Sequence, residues 1–116
     1  MKKLILAITL LAAFPAQAQL TGLQLEEYCE AEEGSFTWGL CTGYFSGYRA
    51  GSAVWRGMLD IVDQPPPPIM PCTDQASTLV MVRVWLKHIE ENPEKLDYPP
   101  RFSILQAMIE SFPCEE

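Results

Sequence analysis

Four cysteines and one histidine are the side chains best suited to nucleophilic or metal chemistry in this 116-residue chain. Their spacing decides what they can do. Cys29, Cys41, Cys72 and Cys114 stand 12, 31 and 42 residues apart, whereas a structural zinc site wants cysteines paired about two to four residues apart. His88 has no cysteine near it in sequence. An even cysteine count in a small exported chain reads as two disulfides, with no metal and no cofactor. That pairing leaves no thiol spare as a nucleophile. His88, beside Lys87, reads as an ordinary exposed or partly buried histidine. Carboxylate pairs occur at Glu26-Glu27, Glu32-Glu33, Asp60/Asp63 and Glu90-Glu91. Glycoside hydrolysis needs two such groups across a cleft, one with a raised pKa. A small domain offers little room for that cleft, so these pairs read as solvated helix faces. The expectation is a protein that binds and is not an enzyme.

Compartment and charge narrow the partner. Lys2 and Lys3 precede an unbroken apolar run from Leu4 to Phe14, and Ala16-Gln17-Ala18 follows as a small-x-small site. This is the pattern of a signal peptide cleaved after Ala18. The run falls short of the roughly 20 residues needed to cross a bilayer. Residues 1–18 are therefore read as a signal peptide and 19–116 as one domain, with no membrane attachment after cleavage. Without Lys2 and Lys3, six basic residues face 15 acidic ones, a net charge of −9. Nucleic acid needs a basic face and is excluded as the main partner; a basic protein is favoured.

The rest of the chain parses into four helices. Pro65-Pro66-Pro67-Pro68 excludes helix and separates two halves. The first segment, about Leu20 to Glu32, carries Leu25, Tyr28 and Cys29 on one stripe, and Gly34-Ser35 ends it. The second, about Leu40 to Val62, places Cys41, Tyr44, Phe45, Tyr48, Trp55, Met58, Leu59 and Val62 near i, i+3, i+4 and i+7 spacing, which predicts one buried face. The third, about Asp74 to Glu91, alternates Val80, Val82 and Val84 like a strand, yet Leu79, Val82, Leu86 and Ile89 keep helical spacing. Thr73 is its expected N-cap. The fourth, about Pro100 to Phe112, presents Phe102, Leu105, Met108, Ile109 and Phe112, and Pro113 stops it. Four amphipathic helices can bury their stripes only against one another. The fold class expected is a small, all-α, disulfide-stabilised four-helix bundle.

A core of this size is marginal, so the crosslinks matter. Cys29 ends the first helix and Cys41 begins the second, so an antiparallel hairpin joins them. Cys72 precedes the third helix and Cys114 follows the fourth. The expected pairs are Cys29–Cys41 and Cys72–Cys114, contributing about 3 and about 4 kcal/mol on the chain-entropy model.

Two further features bear on binding. Gly43, Gly47 and Gly51 recur every four residues, with Gly57 beyond. Each mid-helix glycine costs about 1 kcal/mol against alanine. The strip either lets another helix of this chain approach closely, the reading favoured here, or meets another chain, which leaves a homodimer open. Most of Trp38, Trp55, Trp85 and the tyrosines are expected in the core. Tyr98 is the better surface candidate. It lies in a loop stiffened by Pro93, Pro99 and Pro100, with Glu94 and Asp97 nearby, and a rigid aromatic is a good interface anchor.

Cys41-Thr42-Gly43-Tyr44-Phe45-Ser46-Gly47, a third cysteine opening a helix, and the closing Phe112-Pro113-Cys114 make the chain resemble the Rap/Tai immunity family. These are small periplasmic helical proteins that neutralise peptidoglycan amidase effectors delivered by type VI secretion. The resemblance spans nearly the whole mature chain and implies that Gly43, Tyr44, Phe45, Gly47, Phe112 and Pro113 are scaffold residues. It also implies a basic cell-wall amidase as partner. Two positions depart from the family pattern. Tyr48-Arg49-Ala50-Gly51 stands where an aspartate is usual after the second glycine, and Asp74 replaces a proline two residues after the third cysteine. The rival reading is a periplasmic chaperone or stress protein of similar form.

Overall fold

The computed structural model describes residues 19–67 and 69–114, and the expected signal segment 1–18 lies outside them. Among the described residues all regular structure is helical: α1 (Gly22–Glu30), α2 (Phe36–Ile61), α3 (Thr78–Glu91), a 3-10 turn (Pro93–Asp97) and α4 (Pro100–Ser111). Local chemistry sets the boundaries. Thr21 caps α1 in a reciprocal box: Gln24 N–H donates to Thr21 Oγ1 at 3.3 Å and Thr21 N–H to Gln24 Oε1 at 3.0 Å. Gly34 takes the left-handed conformation, φ 85°, and Ser35 Oγ then accepts from Trp38 N–H at 3.1 Å. That cap starts α2 at Phe36, earlier than Leu40. The other end of α2 closes on Asp63, φ 54°, with Gln64 N–H on the Leu59 carbonyl at 2.9 Å and Asp63 N–H on that of Asp60 at 3.2 Å. This is a Schellman ending carried by an aspartate instead of a glycine.

The expected start of α3 is corrected. Ser77, not Thr73, is its N-cap, accepting from Val80 N–H at 3.2 Å. Residues 73 to 76 instead form a turn, with Ala76 N–H donating to the Thr73 carbonyl at 3.0 Å. Two arginines of α2 hold that turn open. Arg56 Nη1 meets the Asp74 carboxylate at 2.6 Å and Arg56 also donates to the Pro71 carbonyl, while Arg49 donates to the Asp74 carbonyl at 3.1 Å. The valine alternation that suggested a strand is overridden, because Met81, Val82, Trp85, His88 and Ile89 form one buried helical stripe.

The core is built where α1, α3 and α4 meet the first half of α2. Leu25, Cys41, Phe45, Met81, Trp85, Ile104 and Met108 are fully buried. Phe45 and Trp85 touch at 5.6 Å between ring centroids. Trp85 Nε1–H donates to Ser103 Oγ at 2.8 Å, and Ser103 donates to the Pro100 carbonyl at 3.1 Å. This polar pair explains the second correction. Ser103, Ile104, Ala107 and Met108 face inward on α4, whereas Phe102, expected in the core, is 59% exposed. A buried indole needs an acceptor, and supplying it turns Ser103 in and Phe102 out.

The third correction concerns α2. Cys41 and Phe45 are buried and Tyr44 and Tyr48 half-buried, but Trp55, Met58 and Val62 are more than half exposed. Trp38 is half-buried, which leaves Trp85 as the core tryptophan. His88 is 7% exposed, with Nδ1 3.5 Å from a Glu110 carboxylate oxygen. Disulfides join Cys29 to Cys41 and Cys72 to Cys114, each with Cα atoms 5.0 Å apart. Cys72 N–H also donates to the Phe112 carbonyl at 2.8 Å, tying the end of α4 to the start of the second half.

Replacing Ser103 by alanine leaves the Trp85 indole N–H buried without an acceptor. Urea denaturation is expected to show a loss of about 1–3 kcal/mol at an unchanged m value.

Candidate binding surface

The residues singled out in sequence separate into scaffold and surface. Phe45 fills the core, Tyr44 packs edge-on to it at 6.3 Å, and half-buried Phe112 closes the bundle near the second disulfide. Burial pushes the Tyr44 and Tyr48 phenols up from their usual range; the Arg101 charge opposes this at Tyr44, and Ser52 opposes it at Tyr48. Both stay neutral as packing groups. Pro113 is exposed. Among the described residues no other helix packs on Gly43 or Gly47: a Cβ built on either meets nothing within 4 Å, and the same holds at Gly39, Gly51 and Gly57. The intramolecular reading of the glycine strip is thereby overturned. Gly22, like left-handed Gly34, needs to be glycine: its Cβ would lie 3.0 Å from the Leu96 backbone.

That contact fixes the Tyr98 loop. The 3-10 turn Pro93–Asp97 rests on α1, α3 and α4, with Leu96 half-buried against the core. Gly22 N–H donates to the Tyr98 carbonyl at 2.9 Å, and Tyr98 N–H to that of Lys95 at 3.3 Å. The backbone is held from both sides while the side chains project. Glu94, Asp97 and Tyr98 are exposed, Tyr98 by 61%. Phe102 stands beside them at the start of α4, with Arg101 over its ring at 4.8 Å. Tyr98, Phe102, Lys95, Ser103 and Gln106 line a hollow of about 230 Å³. The helical pattern of α4 hid Phe102 as a surface residue; its place one turn after Tyr98 was the available signal.

Two other depressions differ in character. Glu26, Glu30 and Glu90 line a hollow of about 520 Å³ together with Arg83, Lys87 and Leu86. Partial burial, and then the Glu30 charge, raises the Glu26 pKa from its ordinary value. An apolar hollow of about 450 Å³ lies between α2 and the segment after the prolines, among Gly51, Trp55, Pro67, Ile69 and Met70. Among the described residues no three His, Cys, Asp or Glu groups gather as metal ligands. No helix there is long and apolar enough to cross a membrane.

A raised carboxyl pKa means that the folded chain holds the proton more tightly than the unfolded one. Glu26 therefore costs stability as pH rises through the carboxylate range. Glu26→Gln is expected to raise the melting temperature by about 1–2 °C at neutral pH. The gain should vanish near pH ~3, where both states are protonated, as thermal scans across pH would read.

No curated protein and no solved structure matches the chain. The family model of the Rap1a immunity proteins matches residues 21–114, a span that takes in all four helices, both disulfides and the Tyr98 loop. The chain belongs to the Rap1a immunity protein family.

Proposed function

We propose that the protein is exported by the signal segment 1–18 and works in the periplasm. There it neutralises a peptidoglycan amidase effector delivered by type VI secretion, binding over the active-site cleft without catalysis of its own. The observation that carries this reading is the family match over residues 21–114. Two disulfides suit an oxidising compartment. An excess of acidic over basic residues suits steered association with a basic enzyme.

The Tyr98 loop is the proposed docking element. Its backbone is already fixed, so little ordering cost falls on binding. Tyr98 and Phe102 supply exposed aromatic area, and Glu94 and Asp97 supply charge complementary to a basic rim. Occlusion by such a wedge needs no reactive group.

A periplasmic chaperone is the second reading, favoured by the apolar outer face of α2, where Val54, Met58 and Ile61 are exposed. Light scattering of an aggregating client at acid pH separates the two. Suppression of aggregation supports the chaperone, and none is expected.

Co-expression in the periplasm with its cognate peptidoglycan amidase effector is expected to restore growth; continued lysis would overturn the immunity assignment. Tyr98→Ala is expected to weaken effector binding at least ~10-fold. The double reversal Glu94→Lys, Asp97→Lys should slow association most at low salt. Calorimetry and stopped-flow mixing read these effects, and the melting temperatures should stay unchanged because all three side chains are exposed.

A further inference from the structure

The two disulfides sit in unlike surroundings. Cys29 and Cys41 belong to the core, 8% and 0% exposed. Cys72 and Cys114 are both half-buried, where the segment after the prolines meets the end of α4. A cation stands against this second pair. Arg56 Nη2 lies 4.0 Å from Cys114 Sγ. The same guanidinium is pinned independently of the sulfurs, with Nη1 on the Asp74 carboxylate at 2.6 Å and Nη2 donating to the Pro71 carbonyl. The arginine side chain is 18% exposed, so salt screens its charge little. On another side of Cys114 Sγ, the Met70 carbonyl oxygen lies at 3.3 Å, an acceptor for an S–H group. The surroundings thus suit a reduced Cys114 in either of its protonation states.

We infer that Cys72–Cys114 is a thiol–disulfide exchange site whose partner is a protein dithiol of the Cys-x-x-Cys kind. In the first step a thiolate of the partner attacks Cys72 Sγ from the side away from Cys114. A new S–S bond forms to Cys72, the Cys72–Cys114 bond breaks, and its electron pair leaves on Cys114 as a thiolate facing Arg56. In the second step the partner's other thiol, having lost its proton, attacks its own sulfur in the mixed disulfide and releases Cys72 as a thiolate. The partner ends oxidised to a disulfide. This chain gains two electrons, and its thiolates take up the protons that the partner's thiols gave away.

Charge selects the sulfur that leaves. Exchange runs faster when the leaving thiol is the more acidic one, and a neighbouring arginine makes a thiol more acidic. The acids that oppose Arg56 are Asp74, already engaged by Nη1, and Glu115 and Glu116, which follow Cys114 in sequence. Access selects the disulfide, since attack on a core sulfur would require the bundle to open first. Reclosure is also provided for. Cys72 N–H on the Phe112 carbonyl at 2.8 Å, and Arg56 on Asp74 and Pro71, tie the two ends together without the covalent bond. The loop between Cys72 and Cys114, a separation of 42 residues that includes α3 and α4, is therefore locked or released by the thiol poise around it, while Cys29–Cys41 stays closed.

Timed reduction of the folded, oxidised protein tests it, with dithiothreitol and thioredoxin as probes and mass spectrometry of the alkylated cysteines as readout. Cys72 and Cys114 are expected to open at least ~10-fold faster than Cys29 and Cys41. Equal rates, or earlier opening of Cys29–Cys41, overturn the inference. Thioredoxin lacking its second cysteine should be trapped on Cys72; trapping on Cys114 overturns the assigned leaving group. Arg56→Gln separates charge from tethering. A purely structural arginine predicts faster opening, because the segment after the prolines is loosened, whereas loss of a stabilised leaving group predicts opening at least ~3-fold slower. Arg56→Lys, which keeps the charge, should recover most of the rate. Faster or unchanged opening in Arg56→Gln overturns the part given to the arginine. A further readout needs no variant: in the reduced protein, the pH profile of iodoacetamide alkylation should lie lower for Cys114 than for Cys72, and coincident profiles overturn the inference. None of these readouts depends on protection from a toxin, so the immunity reading stands or falls separately.

Discussion

A helix of 26 residues runs about 39 Å, and the three helices that could cover α2 have 9, 14 and 12 residues, so their packed faces reach only its first half. This mismatch in length governs the molecule. It gathers the core around Phe45, Trp85 and Met108 at one end. It also leaves the second half of α2 without another described helix across it, so that Trp55, Met58 and Val62 stay exposed.

A core confined to half a helix is small for the chain it must hold, and covalent and ionic ties make up the difference. Cys29–Cys41 locks the turn between α1 and α2, while Cys72–Cys114 closes the loop that contains α3 and α4. Each removes disorder from the unfolded chain and not from the fold. Arg56 performs a related task without covalent bonding. It emerges from the far half of α2 and grips Asp74 and the Pro71 carbonyl, so the segment after the prolines is drawn back along the helix. The apolar hollow between them exists because of that grip.

Chemically, the surface falls into two unlike regions. Around Tyr98 it is aromatic and carries both signs of charge, Glu94 and Asp97 beside Lys95 and Arg101, presented on a backbone pinned by Gly22 and Leu96; along the outer face of α2 it is uncharged and studded with glycines. Recognition of a protein partner suits the first, because a fixed loop loses little entropy on binding.

How much of this was legible beforehand varies with the kind of information each feature needs. Helical class, the proline break, the pairing of cysteines at hairpin ends and the exposure of the Tyr98 loop follow from local rules, since residue type and spacing alone fix them. Inward and outward faces were read in part on α3, where Val82 and Ile89 are buried but Leu79 is exposed, and poorly on α2 and α4. Periodicity says that a stripe exists but not that a neighbour is long enough to cover it, so Trp55, Met58 and Val62 were misplaced. Nor does it say that Trp85 requires a hydroxyl, which is what turned Ser103 inward and Phe102 outward. The cap at Ser77 was missed because Asp74 answers to arginines 18 and 25 residues away. The sequence by itself determined the elements, the crosslinks and the sign of the charge, for these are short-range or compositional properties. Only the tertiary structure decided which apolar face is left bare, because that depends on the relative lengths and positions of helices distant along the chain.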